Sequence, residues 1–137
     1  MDRQALAMLL ESRGIAPTPQ RVEIAAVILP RHQHLSADQV LARVNANGAA
    51  ASKATVYNTL GLFAERGLVR QVFVDPAKIF YDSNLSPHHH FYNVDDGSLT
   101  DFDAGECPIV RLPEVPEGTV ADGVDVIVRV RNAAGSG

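Results

Sequence analysis

Apolar residues recur at helical spacing through the first half of the chain. In DRQALAMLLESRG (2–14) Leu6, Leu9 and Leu10 line one face and Gly14 supplies a C-terminal stop. Thr18-Pro19 offers an N-cap followed by proline at the first helical position, ahead of QRVEIAAVIL. Ser36 caps a third helix, ADQVLARV, which turns Val40, Leu41 and Val44 inward. Ser52 starts a fourth, KATVYNTLGLFAERG, ending at Gly67. From Leu68 the period changes to that of strands. LVRQVFVD and AKIFYDS are separated by the turn signal Asp75-Pro76-Ala77, and HHHFYNV and SLTDF form a second hairpin across Asp95-Asp96-Gly97. A proline-broken stretch, CPIVRLPEVPEG, leads to VDVIVRVR, read as a strand with Val124, Val126, Val128 and Val130 on one face. Residues 133–137 read as a frayed tail.

Short helices followed by a hairpin resemble a winged helix-turn-helix in outline. Helices first and strands afterwards predict an α+β fold class, with an N-terminal winged helix-turn-helix over residues 1–83 and a second lobe over residues 84–137. Composition fits a globular chain, with 46% hydrophobic residues. No apolar run reaches the roughly 18 residues of a membrane span, and no signal-peptide pattern opens the sequence, so no membrane partner and a cytoplasmic location are expected. The net charge of −4 hides a split. Residues 1–75 carry eight Lys/Arg against six Asp/Glu, whereas residues 76–137 carry four against ten. Two lobes with different partners are implied, and a nucleic acid would need local clustering of charge or a dimer.

The fourth helix has the layout of a recognition helix. Ser52, Lys53, Thr55, Tyr57 and Asn58 are polar or amphipathic near its start, while Val56, Leu60 and Phe63 face a core. Thr55 and Tyr57 suit thymine methyls or phosphates, and Asn58 suits an adenine edge. The same spacing also fits a plain amphipathic surface helix.

Three of the five histidines are consecutive, His88, His89 and His90. On a strand this triple is a pair plus one, since His88 and His90 share a face and His89 points away. With His34, Asp82 and Asp101 the pair makes three imidazoles and two carboxylates, a donor set for Fe²⁺, Mn²⁺ or Zn²⁺. The same set could in principle activate water in a metal-dependent enzyme, but no spare acid or base accompanies it, and no enzyme is expected. Cys107 is the one cysteine, so a Cys-Cys zinc knuckle within this sequence is excluded.

TPQR (18–21), HLSADQVLARV (34–44), SKATVYNTLGLFAERGLV (52–69) and HHHFYNVDDGSLTDF (88–102) resemble, in that order, the ferric uptake regulator (Fur) family. The resemblance implies a winged-helix DNA-binding domain at 1–83 and a small α/β dimerisation and sensing domain at 84–137. It matches His34, Asp82, His88, His90 and Asp101 to a regulatory metal site linking the lobes, and Arg21 and Tyr57 to positions that contact DNA. The family's CxxC pairs are missing, so no structural cysteine zinc is expected. HHHFYNV and LPEVPEGTVADGVDVIVRVR look like the iron response regulator (Irr) branch, whose members respond to haem. That implies haem as a regulatory ligand, with His88, His89, His90 and the Cys-Pro dipeptide at Cys107 as candidates, although Cys107 reads more simply as a loop cysteine. The expected partners are double-stranded DNA and a second copy of the chain, with a higher oligomer left open. A peroxide- or metal-sensing regulator with the same five ligands is the alternative.

Overall fold

The computed structural model describes residues 1–75, 77–106 and 111–134. The chain divides into two compact units, Met1–Leu85 and Ser86–Gly137.

The first unit holds four helices, α1 (Arg3–Ser12), α2 (Pro19–Ile28), α3 (Ala37–Ala46) and α4 (Lys53–Glu65). Each begins where a side-chain oxygen accepts an otherwise orphaned backbone N–H. Asp2 accepts from Ala5, Thr18 from Arg21, Ser36 from Gln39 and Ser52 from Thr55. At α3 the Gln39 side chain returns a bond to the Ser36 backbone, completing a capping box. The apolar stripes meet in one core in which Leu6, Leu10, Ile24, Ile28, Val40, Val56, Leu60 and Phe63 are fully buried. Burying a side chain of this size contributes roughly 1.5–3 kcal/mol, so this core is what holds the helices together. Leu9 and Leu41 lie only partly buried at its margin.

A three-stranded sheet of order β1-β3-β2 completes the unit, from β1 (His34–Ser36), β2 (Arg70–Asp75) and β3 (Lys78–Asp82). All its pairings are antiparallel, with a register shift between Phe73 and Asp75 near the turn. Ile79 and Tyr81 pack against the helical core. By alternation Lys78, Phe80 and Asp82 project from the opposite face. His34, two residues before the Ser36 cap of α3, is the first residue of a strand and is paired with Asp82.

The second unit holds the sheet β5-β4-β6, from β4 (His88–Asn93), β5 (Leu99–Asp103) and β6 (Ile127–Val130), with one 3-10 turn at Ala104–Glu106. The β4–β5 hairpin closes where expected. Asn93 Oδ1 accepts the N–H groups of Asp95 and Asp96, and Gly97 adopts φ 73°, a conformation that glycine tolerates. Hydrogen bonds from Ser98 hold the Asp96 carboxyl below its ordinary range. β6 runs parallel to β4, His90 opposite Ile127. It is shorter than the eight-residue run read from the sequence, because ladder pairing begins only at Ile127. Val124 and Val128 are each 38% exposed, so the predicted valine face is not buried within the chain. Among the described residues no helix is long and apolar enough to cross a membrane.

Candidate metal centre and nucleic-acid interface

β4 presents its histidines alternately. The His88 and His90 rings lie on one face with centroids 4.7 Å apart, and both are buried. Asp101 is the register partner of His90 on β5. Its Oδ1 lies 3.2 Å from His90 Nε2 and its Oδ2 lies 3.9 Å from His88 Nε2. One ligand atom from each of the three falls within 4.8 Å of the others, close enough to share a single ion. The tautomer of His88 is set by its neighbour. His88 Nδ1 is 2.6 Å from the Ser86 carbonyl, which can only accept, so Nδ1 carries the proton and the neutral ring keeps its lone pair on Nε2. Orienting a ligand imidazole by bonding its far nitrogen to a carbonyl is the usual outer support of a metal centre. Two imidazoles and a carboxylate suit a borderline divalent cation.

Two further predicted ligands lie in the first unit. His34 on β1 is half-buried and Asp82 at the end of β3 is fully buried; the two are opposite one another. The His34 ring meets Phe80 edge-on at 6.1 Å, so it lies on the same sheet face as Phe80 and Asp82. Asp82 Oδ1 also accepts the N–H of Asn84.

His89 occupies the other face of β4. Its Nδ1 accepts the Val126 N–H at 3.1 Å, and its ring lies 5.6 Å from Phe102. The hydrogen bond fixes the opposite tautomer from that of His88, with the proton of the neutral ring on Nε2. Cys107 lies outside the described residues.

The candidate DNA contacts gather at the start of α4, with one on α2. Ser52 donates to Thr55 Oγ1 at 2.9 Å while capping the helix. Tyr57 is 43% exposed and Asn58 is exposed, while Val56 and Leu60 are buried on the opposite side. Lys53 lies 5.7 Å from the centre of the Tyr57 ring and 3.6 Å from Asp38. Arg21 on α2 is half-buried and donates to the Ala16 carbonyl at 3.0 Å. Sequence reading had not singled out Asp38, whose role as the partner of Lys53 depends on the packing of α3 beside α4.

Residues 12–112 match the ferric uptake regulator family. The chain belongs to that family. Over 93 residues, 68% of the chain, it is 30% identical to the peroxide-responsive repressor PerR of Staphylococcus aureus. The match spans 63% of that relative, less than two thirds of its length. Among solved structures, the ferric uptake regulator of Pseudomonas aeruginosa with manganese is similar at a TM-score of 0.70 and 25% identity. That match covers 96% of this chain and 98% of the other. The Vibrio cholerae regulator of the same name shares the fold at a TM-score of 0.71 and 20% identity, covering 92% and 98%. Family membership accords with the α+β architecture of four helices and a small sheet followed by a sheet-rich second unit.

Proposed function

We propose that the chain is a metal-responsive transcription regulator that binds promoter DNA as a dimer and is not an enzyme. The observation that carries this reading is the His88–His90–Asp101 cluster, with the tautomer of His88 fixed for coordination. His34 and Asp82, paired in the first unit, would supply the remaining donors. A bound divalent ion would then tie ligands from both units, and its presence would set the angle between two DNA-binding units in a dimer. Mn²⁺, Fe²⁺ and Zn²⁺ all suit the donors, and the relative solved with manganese supports the first. Residues 1–83 would form the DNA-binding domain, with Ser52, Lys53, Thr55, Tyr57 and Asn58 of α4 and Arg21 of α2 facing DNA. Residues 84–137 would form the dimerisation and sensing domain. No membrane partner is called for, and a cytoplasmic site of action follows from the DNA target.

Within the family the reading favoured here is the iron response branch, with haem as the second signal. It rests on the HHHFYNV and LPEVPEGTVADGVDVIVRVR stretches. Of the candidate haem ligands, His88 and His90 are favoured over His89. His89 uses its Nδ1 lone pair to hold Val126, so ligation through Nε2 would require moving its proton and giving up that bond. His88 already carries its proton on Nδ1. Ligation of haem at His88 or His90 would remove a donor from the metal site, linking the two signals. Mn²⁺ should therefore suppress the Soret shift on haem titration, and His89→Ala should still respond. A Soret shift indifferent to metal and abolished in His89→Ala would overturn this assignment.

The PerR relative favours a second reading, a peroxide-responsive repressor with the same five ligands. Treating the Fe²⁺-loaded protein with hydrogen peroxide, and separately with haem, while following DNA retention separates the two. Release by haem alone supports the first reading, and release by peroxide alone supports the second.

A further inference from the structure

A row of three side chains crosses the sheet of the first unit. Asp82 on the central strand is in register with His34 of β1 on one side and with Arg70 of β2 on the other. Directly opposed residues of antiparallel strands project from the same face with Cβ atoms ~4.5–5.5 Å apart. Arg70 is therefore as close a neighbour of Asp82 as His34 is. Asp82 is fully buried, and Nε and Nη2 of the Arg70 guanidinium are buried too. A guanidinium stays charged at any accessible pH, and a buried carboxylate requires compensation by a cation or by several donors.

We infer that Arg70 is the counter-charge of Asp82 in the metal-free protein, and that a divalent ion competes with Arg70 for that carboxylate. The inference rests on the reading of Asp82 as a metal ligand. Arg70 is then a positioning residue that sets the metal concentration at which the site fills. Two effects act in the same direction. A cation arriving at Asp82 meets repulsion from the guanidinium, and it replaces compensation that Asp82 already has. Removing the Arg70 charge abolishes the repulsion and leaves Asp82 to be compensated by a bound cation beside the Asn84 N–H. Metal affinity should therefore rise. An arginine that only packs would lower the stability of metal-free and metal-loaded protein alike, leaving affinity unchanged.

The test uses the full chain with Arg70→Gln, Arg70→Lys, Asp82→Asn and the Gln/Asn double variant. Urea unfolding in chelator reads the pair without metal. Asp82→Asn should lower the unfolding midpoint in the parent background and by less than half as much beside Arg70→Gln. Isothermal titration with Mn²⁺ reads the competition. Arg70→Gln should bind about tenfold tighter than the parent, Arg70→Lys should stay near the parent, and the double variant should lose the gain. Additive unfolding effects would overturn the pairing. Coupled unfolding with equal Mn²⁺ affinity in Arg70→Gln and the parent would overturn the competition alone. Coupled unfolding with no Mn²⁺ binding by the parent would overturn the metal-site reading, and the competition with it.

Discussion

Replacing Asp101 by asparagine separates the two roles its carboxylate could have. Asp101 Oδ1 lies 3.2 Å from His90 Nε2, Oδ2 lies 3.9 Å from His88 Nε2, and the side chain is 40% exposed. With that exposure, water screens the carboxylate in the metal-free protein, and its pairing with the imidazoles contributes only ~0–1 kcal/mol. The amide has the same shape and keeps a hydrogen-bonding oxygen. Metal-free Asp101→Asn should therefore unfold within about 5 °C of the parent. With an ion bound, the same oxygen is a ligand. Losing an outer partner of a ligand weakens metal binding by about 10–100-fold, and losing an anionic ligand itself should exceed that. Mn²⁺ affinity is expected to fall by at least about 100-fold, equivalent to ~2.7 kcal/mol. The stabilisation gained on adding Mn²⁺ should shrink accordingly. Competition with a fluorescent chelator gives the affinity, and thermal unfolding in chelator and in excess Mn²⁺ gives both stabilities. A Mn²⁺ affinity within threefold of the parent, with both stabilities intact, would refute the placement of Asp101 at the ion.

Ser52→Ala removes the cap of α4 and should lower stability by about 1 kcal/mol in urea unfolding, because the Thr55 N–H loses its acceptor. Gly14→Ala should cost about 1–2 kcal/mol by the same measurement. Gly14 has φ +73°, and an added Cβ would stand 2.6 Å from Arg66 Nη1, the nitrogen that reaches back to the Arg13 carbonyl. Tyr57→Ala should weaken sequence-specific DNA binding by roughly 1–3 kcal/mol. Arg21→Ala should weaken all duplexes alike and reduce the salt slope by about one, both being read by fluorescence anisotropy. Chelation should leave circular dichroism and dimer mass intact, since this sequence holds a single cysteine; global unfolding in chelator would contradict that.

The helices were legible because their signals are local. Thr18, Ser36 and Ser52 each mark a start that the backbone obeys, and Val56, Leu60 and Phe63 repeat at the spacing of a buried face. β1 was not legible. Three residues carry no periodicity, and His34–Ser36 becomes a strand only by pairing with Phe80–Asp82, more than forty positions away. The end of the chain misled in the opposite direction. VDVIVRVR alternates cleanly, yet its register pairing with β4 covers only Ile127–Val130, because alternation shows which faces exist and not how far a neighbour extends. At the candidate site, alternation placed His88 with His90 and set His89 apart. It could not reveal that Ser86 and Val126 fix the two tautomers, because both partners are backbone groups without a residue signature. Arg70 escaped notice for a similar reason, being brought beside Asp82 by register alone.

Metal-gated DNA recognition is the central claim, and it can be tested without knowing the operator. Randomised duplex DNA is passed over the metal-stripped protein and over the same protein with Mn²⁺, and the retained sequences are read. A dimer with two α4 helices predicts an enriched palindrome with half-sites one helical turn apart, ~34 Å, whose retention differs sharply between the two conditions. It also predicts that His90→Ala abolishes the difference. An enriched sequence retained equally with and without Mn²⁺ would contradict the metal gate, and no enriched sequence under either condition would contradict the assignment of α4 to DNA.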